Sequence, residues 1–268
     1  MNDNSRGQFK DMRIIKIGGS IITDKNRFQA CDIANIRKIG SALSKVKNPF
    51  IIVHGTGGFG KIPALKYRYV DGEVRPGLVP CARIKAGVLK LHSVLISEFS
   101  RKGLDVVGFR ADSMAEVSGS LIKKMRKDFL IKWLRMGFIP VVCGDMVCDE
   151  KKGLSICSSD RVAAHLAALF KAKELIFLTD VDGIFDEKGR VFAEISKKEL
   201  GKFVQRLPKS PMDVSGGMRG KIEALLPYIH CSFVVRIING LKKESLESLF
   251  KGVSRGTLIR GKRIRDEG

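Results

Sequence analysis

A chain of 268 residues, 44% of them hydrophobic, can bury a large core and suits one sizeable α/β domain or two closely fused lobes. Its 49 Lys and Arg outweigh 28 Asp and Glu for a net charge of +21, yet they run along the whole chain instead of forming one arm, which argues against a nucleic-acid partner and suits a small anionic ligand. Six cysteines (Cys31, Cys81, Cys143, Cys148, Cys157, Cys231) show no CxxC pair, no histidine at metal spacing and no secretory leader, and no apolar run nears the roughly 20 residues that span a bilayer; reduced thiols, no metal site, no membrane segment and a cytoplasmic location are expected.

In chain order, residues 1–12 open with the polar MNDNSRGQFK and are expected to form a disordered tail, with 13–268 as a single domain. Arg13 to Ile17 reads as the first strand. Asp32 then caps a helix whose Ile33, Ile36, Ile39, Leu43 and Val46 share one face. Phe50 to Val53 is the next strand. A long helix from Ala82 to Lys102 places Ile84, Val88, Leu91, Leu95 and Phe99 at three- and four-residue steps and ends at Gly103. Val106 to Phe109 and Phe138 to Cys143 are strands on either side of an amphipathic helix from Phe129 to Met136, and the basic run Lys123 to Lys127 reads as a solvated helix face. Met146 to Asp149 and Leu154 to Cys157 form a hairpin. Asp160 is expected to cap a helix running to Ala172. Leu175 to Leu178 is a buried strand, Lys221 lies early in a helix ending near Ile229, Val234 to Ile238 closes the sheet, and the basic tail from Arg260 to Arg265 frays. The alternation of β-branched runs with amphipathic segments predicts an α/β fold with a mostly parallel sheet. His92, His165 and His230 read as structural.

Ligands of open α/β sheets gather where strands end, and three strand ends here carry glycines beside polar groups. Lys16, Gly18, Gly19 and Ser20 follow strand one; free N–H groups there can form an anion nest, although an ordinary turn with a surface lysine fits as well. His54-Gly55-Thr56-Gly57-Gly58-Phe59-Gly60-Lys61-Ile62 matches G-x-G-x-x-G, but Pro76 and Pro80 stand where a second strand with a ribose-binding acid should follow. It also matches G-x-x-x-x-G-K, but Ile62 replaces the Mg²⁺-binding Ser or Thr. What remains is a backbone nest with a lysine at its end. The third group is Asp180, Asp182 and Gly183 after a buried strand, with Gly217 and Lys221 opening a later helix; paired carboxylates suit Mg²⁺ or ribose, and the helix start suits a triphosphate.

The segments KIGGSIITDK (Lys16 to Lys25), HGTGGFGK (His54 to Lys61), GDMVCD with SSD (Gly144 to Asp149, Ser158 to Asp160), LTDVDGIFD (Leu178 to Asp186) and DVSGGMRGK (Asp213 to Lys221) resemble, in this order, those of amino acid kinases. Within that family they are most similar to isopentenyl phosphate kinases, with fosfomycin-type kinases second. The resemblance implies a three-layer αβα sandwich, usually a homodimer, using ATP and Mg²⁺ on a small phosphate-bearing substrate. The acceptor lobe would extend to about residue 170 and the nucleotide lobe would follow. Lys16 and Lys221 would flank the transferring phosphoryl, Lys25 would stabilise the transition state and Asp160 would orient the lysines. Gly55, Gly60, Lys61 and Ser159 would hold the acceptor, with Gly18, Gly19, Ser20, Thr56, Asp180, Asp182, Gly183 and Gly217 on the nucleotide side. The isopentenyl phosphate kinase pattern reads HGGGSFGH, so Lys61 stands where that pattern has its final histidine, and Thr56 and Gly58 replace a Gly and a Ser. A kinase for another small phosphate or phosphonate, and a nucleotide-binding sensor without catalysis, are the rival readings.

Overall fold

The computed structural model describes residues 9, 11–24, 27–67, 78–207, 217–251 and 255–261. Strand β1 (Arg13–Ile17) passes through a 3-10 turn (Gly19–Ile21) to α1 (Ile33–Leu43), β2 (Phe50–His54), α2 (Gly57–Lys66) and the long α3 (Leu78–Ser100). Then come β3 (Val106–Arg110), α4 (Ala111–Met114), β4 (Ala115–Ser118), β5 (Leu121–Met125), α5 (Lys127–Arg135), β6 (Ile139–Cys143), β7 (Asp145–Asp149), β8 (Gly153–Cys157) and α6 (Ser159–Leu169). The chain continues with β9 (Glu174–Thr179), β10 (Glu194–Ser196), α7 (Leu200–Arg206), α8 (Gly217–Leu225), β11 (Val234–Asn239), α9 (Lys243–Lys251) and β12 (Thr257–Arg260).

Eight strands form the central sheet in the order β10-β12-β11-β9-β1-β2-β6-β3. The run from β11 to β3 is parallel throughout, whereas β12 is antiparallel to β11. Every residue of β2 is buried, as a strand covered on both faces requires. Alternation along the strands sorts their side chains into two cores. Ile14, Ile51, Val53, Phe177 and Val235 face α6, α7 and α8, while Ile15, Ile17, Ile52, Ile176 and Leu178 face α1, α3 and α9. The result is an αβα sandwich. A smaller sheet, ordered β5-β4-β7-β8, contains the expected hairpin, and its Met146 and Ile156 pack with Ala64 of α2 and Ile84 of α3. Among the described residues, no helix is long and apolar enough to cross a membrane.

The structure corrects several expectations. Met12, placed within the expected tail, is buried in the core, and Phe9 packs against it. Strand β11 does not close the sheet; the short strands β12 and β10 lie beyond it. The run Lys123 to Lys127 spans β5 and the start of α5 instead of one helix face, and the stretch after Gly55 is helix α2 instead of a loop. Asp160 is not the cap of α6. The Ser158 hydroxyl caps it, accepting from the Arg161 N–H at 3.3 Å, which leaves Asp160 to turn inward from the first turn.

Candidate active site

Lys16 is the fourth residue of β1, so it shares a face with Ile14 and points at the α6 and α8 layer. There it meets Asp160 of α6, with Nζ 2.7 Å from Oδ1; Lys221 of α8 lies on the other carboxylate oxygen, Nζ to Oδ2 3.7 Å. All three are buried, at 3%, 2% and 9% exposure. Burial pushes the Asp160 pKa up, but the ammonium groups of Lys16 and then Lys221 outweigh it and hold the carboxyl below its ordinary value. The trio therefore keeps one excess positive charge in a low-dielectric place. Lys221 also donates to the Gly217 carbonyl at 3.3 Å, which ties it to the start of its own helix.

The glycine segments seat backbone on backbone. A Cβ on Gly19 would come within 2.3 Å of the Gly57 nitrogen. Gly57 has φ +46°, and a Cβ there would meet Thr23 Oγ1 at 2.1 Å, so only glycine fits both positions. The Thr23 hydroxyl locks the junction by donating to the Gly19 carbonyl at 2.9 Å and accepting from the Gly58 N–H at 3.0 Å. The sequence alone singled out the glycines but not Thr23.

These parts surround a cavity of about 580 Å³ where the C-terminal ends of β1, β2 and β9 face the N-terminal ends of α2, α6 and α8. Three helix N-termini aim their partial positive charge at one space, a ready anion site. Lys16, Gly18, Gly19, Ser20, Gly55 and Thr56 line it, together with Gly60, Lys61, Ser159, Asp160, Asp180, Gly217 and Lys221. Asp182 and Gly183 do not. Asp182 is held by the Lys242 ammonium at 2.8 Å and the Asn239 amide at 3.0 Å, and Gly183 packs against Thr257 and Val191. Lys25 lies outside the described residues.

The far end of the cavity is apolar. Ile62, Ala64 and Leu65 of α2, Ile84 and Val88 of α3, and Met146 and Ile156 of the hairpin form it. On α3, Val88 reaches the cavity, whereas Leu91 and Leu95 are spent in the core. The α2 and hairpin contributions escaped the sequence, though Ile62 and Leu65 at three-residue spacing signal them once a helix is recognised. Behind this wall Lys85 binds Asp112 at 2.8 Å, Asp145 at 2.9 Å and the Met146 carbonyl at 2.8 Å, pinning the hairpin to α3.

A shared cavity with a cationic, amide-rich end and an apolar end is built to hold anionic groups of a small molecule. The sequence pattern of the amino acid kinase family matches residues 11–239. An isopentenyl phosphate kinase of Methanocaldococcus jannaschii is 29% identical over 264 residues, covering 92% of this chain and 98% of the relative. An acetylglutamate kinase of Endomicrobium trichonymphae is 28% identical, covering 93% of this chain and 99% of the relative. A crystal structure of isopentenyl phosphate kinase superposes with a TM-score of 0.79 at 26% identity, covering 92% of this chain and all of that one (100%). With the fold, the ordered glycine segments and a family pattern that spans most of its length in agreement, the chain belongs to the amino acid kinase family.

Proposed function

We propose that the chain transfers the γ-phosphoryl of ATP to isopentenyl phosphate, giving isopentenyl diphosphate and ADP. The observation that carries this reading is the single cavity whose anion-binding end runs into the apolar wall of Ile62, Leu65, Ile84, Val88, Met146 and Ile156. A short branched hydrocarbon tail bearing a phosphate matches both ends, whereas a polar acceptor would leave its own polar groups unpaired against that wall.

In this reading an oxygen of the acceptor phosphate attacks the γ-phosphorus in line; the new O–P bond forms as the bond to the β-phosphate oxygen breaks, and ADP leaves with that electron pair. The attacking oxygen is already ionised, so no strong base is needed and the protein supplies position and positive charge. Lys16 and Lys221 neutralise the charge spread over the transferring group, while Asp160 keeps their ammonium groups apart and aimed. Lys25 is the third cation of the proposed set. The acceptor would sit in the part of the chain before about residue 170, against Gly55, Gly60, Lys61 and Ser159, and the nucleotide against the later part with Gly18, Gly19, Ser20, Thr56, Asp180 and Gly217.

Mg²⁺ would enter with ATP. Both Asp160 oxygens face lysines, so the ion would be held mainly by phosphate oxygens, with Asp180 the nearest fit among the proposed residues, and it would neutralise the β- and γ-phosphates. A homodimer working in the cytoplasm accompanies this reading, and sedimentation of the purified chain checks the dimer.

The test is ADP release with Mg-ATP over a panel of isopentenyl phosphate, short alkyl phosphates, phosphonates and N-acetylglutamate. Isopentenyl phosphate is expected to give the highest kcat/KM; a short polar acceptor outpacing it would overturn the assignment. Lys61 lines the cavity and in this reading takes over the role of the final histidine of the resembled pattern toward the acceptor phosphate; unchanged acceptor KM and kcat in Lys61→Ala would remove that role.

A further inference from the structure

His54 and His92 lie against each other behind the glycine junction, and the transfer chemistry above uses neither. His54 ends β2 with its side chain on the α3 face of the sheet, and His92 projects from α3 toward it. Both are buried, at 0% and 4% exposure. Their rings stack with centroids 5.1 Å apart; His54 Nε2 is 2.8 Å from His92 Nδ1, and His54 Nδ1 is 2.9 Å from the Gly55 carbonyl oxygen.

One carbonyl fixes the protons on both rings. A carbonyl oxygen can only accept, so His54 carries its proton on Nδ1. The Nε2 of a neutral His54 is then an acceptor, and His92 must donate to it from its own Nδ1. His92 Nε2 is left with a lone pair, buried without a hydrogen-bond partner, and it faces Gly108, where a Cβ would come within 2.5 Å of it. Burial, with the His92 ring second, pushes His54 down to about 3; burial, with Arg110 second, pushes His92 down to about 4. Both rings are thus neutral at pH 7 and the donor order holds. Cys143 completes a buried trio of the kind that can bind a metal, but the 2.8 Å contact between the rings is already a hydrogen bond, and burial pushes the thiol up to about 12.

We propose that His92 and His54 are positioning residues, a relay that anchors the Gly55 carbonyl so that the Thr56 N–H is presented to a phosphate of ATP. In a trans peptide the N–H points opposite to the C=O of the same unit, so a carbonyl turned toward His54 sends the Thr56 N–H away from the histidines. Thr56 lines the cavity and stands at the N-terminal end of α2, which adds the helix dipole to that N–H. The relay rests on the cavity being a phosphoryl-transfer site.

Two measurements test it. Nitrogen-15 correlation spectra of the histidine rings in the intact chain should show both His54 and His92 protonated on Nδ1. Mg-ATP affinity and steady-state kinetics are then compared for His92→Asn, whose amide places an N–H where Nδ1–H stood, and His92→Phe, which fills the space without a donor. His92→Phe is expected to weaken Mg-ATP binding and raise the KM for ATP at least about tenfold with the acceptor KM little changed, while His92→Asn stays within about threefold of the parent. Protonation of either ring on Nε2, or equal losses in the two variants, would overturn the relay. A chain that binds Mg-ATP yet phosphorylates no prenyl phosphate would instead remove the acceptor assignment, because neither tautomers nor ATP affinity depend on the acceptor.

Discussion

Asp160 ties the stability of the fold to the proposed chemistry. Each of its oxygens faces an ammonium group, so removing its charge leaves two buried cations facing each other. Asp160→Asn is expected to cost about 3–5 kcal/mol in urea unfolding, as for other broken buried pairs. Its kcat should fall at least about a hundredfold in an ADP-release assay, the scale of losing a preorganised charge. Near-parental turnover in a folded variant would contradict the proposed role. That Lys16, Lys221 and Asp160 come together was legible in their motifs, but the cap assigned to Asp160 was not right. Capping is a local inference that reads only neighbours in sequence, and Ser158 was equally placed to do it. The pairing that diverts Asp160 comes from β1 and α8, far away along the chain.

At the scale of elements, the strongly periodic ones were the most legible. β1 begins and ends where its apolar run does, and α3 follows the stripe of Ile84, Val88, Leu91, Leu95 and Phe99, although it starts earlier. Helix α2 was hidden because Gly57, Gly58, Gly60 and Pro63 all have poor helix propensity, and seating against the 3-10 turn at Gly19–Ile21, α3 and the hairpin stabilises it. Strands β10 and β12 were hidden for another reason: three and four residues long and lying at or next to a sheet edge, they carry too short a pattern to stand out. Gly57→Ala tests the junction directly. Its Cβ has no room beside Thr23 and its backbone is left-handed, so a loss of about 1–3 kcal/mol in stability is expected. The KM values for ATP and acceptor should both rise, because the junction belongs to both halves of the cavity.

For the whole molecule, the buried histidines set a behaviour in acid. Their folded values of about 3 and about 4 lie below the ordinary 6.5, so between these limits the unfolded chain binds more protons. The stability linked to them is complete above pH 6.5 and declines as the pH falls toward the folded values, by about 1.4 kcal/mol per pH unit for each ring. Denaturant midpoints should therefore drop steeply from pH 6.5 to 4.5, and the drop should be shallower in His92→Asn; parallel curves would refute the linkage. The large positive charge was legible as a preference for anions, but only the folded chain shows which cations enter the cavity and which remain on the outer surface.

The seating of Gly19 on Gly57 has an evolutionary side. In the proposed reading main chain, not side chains, sets the spacing between donor and acceptor phosphates, so the wall that would grip the acceptor's tail is free to diversify without retuning the transfer step. Val88→Phe should accordingly shift preference toward shorter acceptors while leaving the KM for ATP untouched, a change in diet without a change in bite.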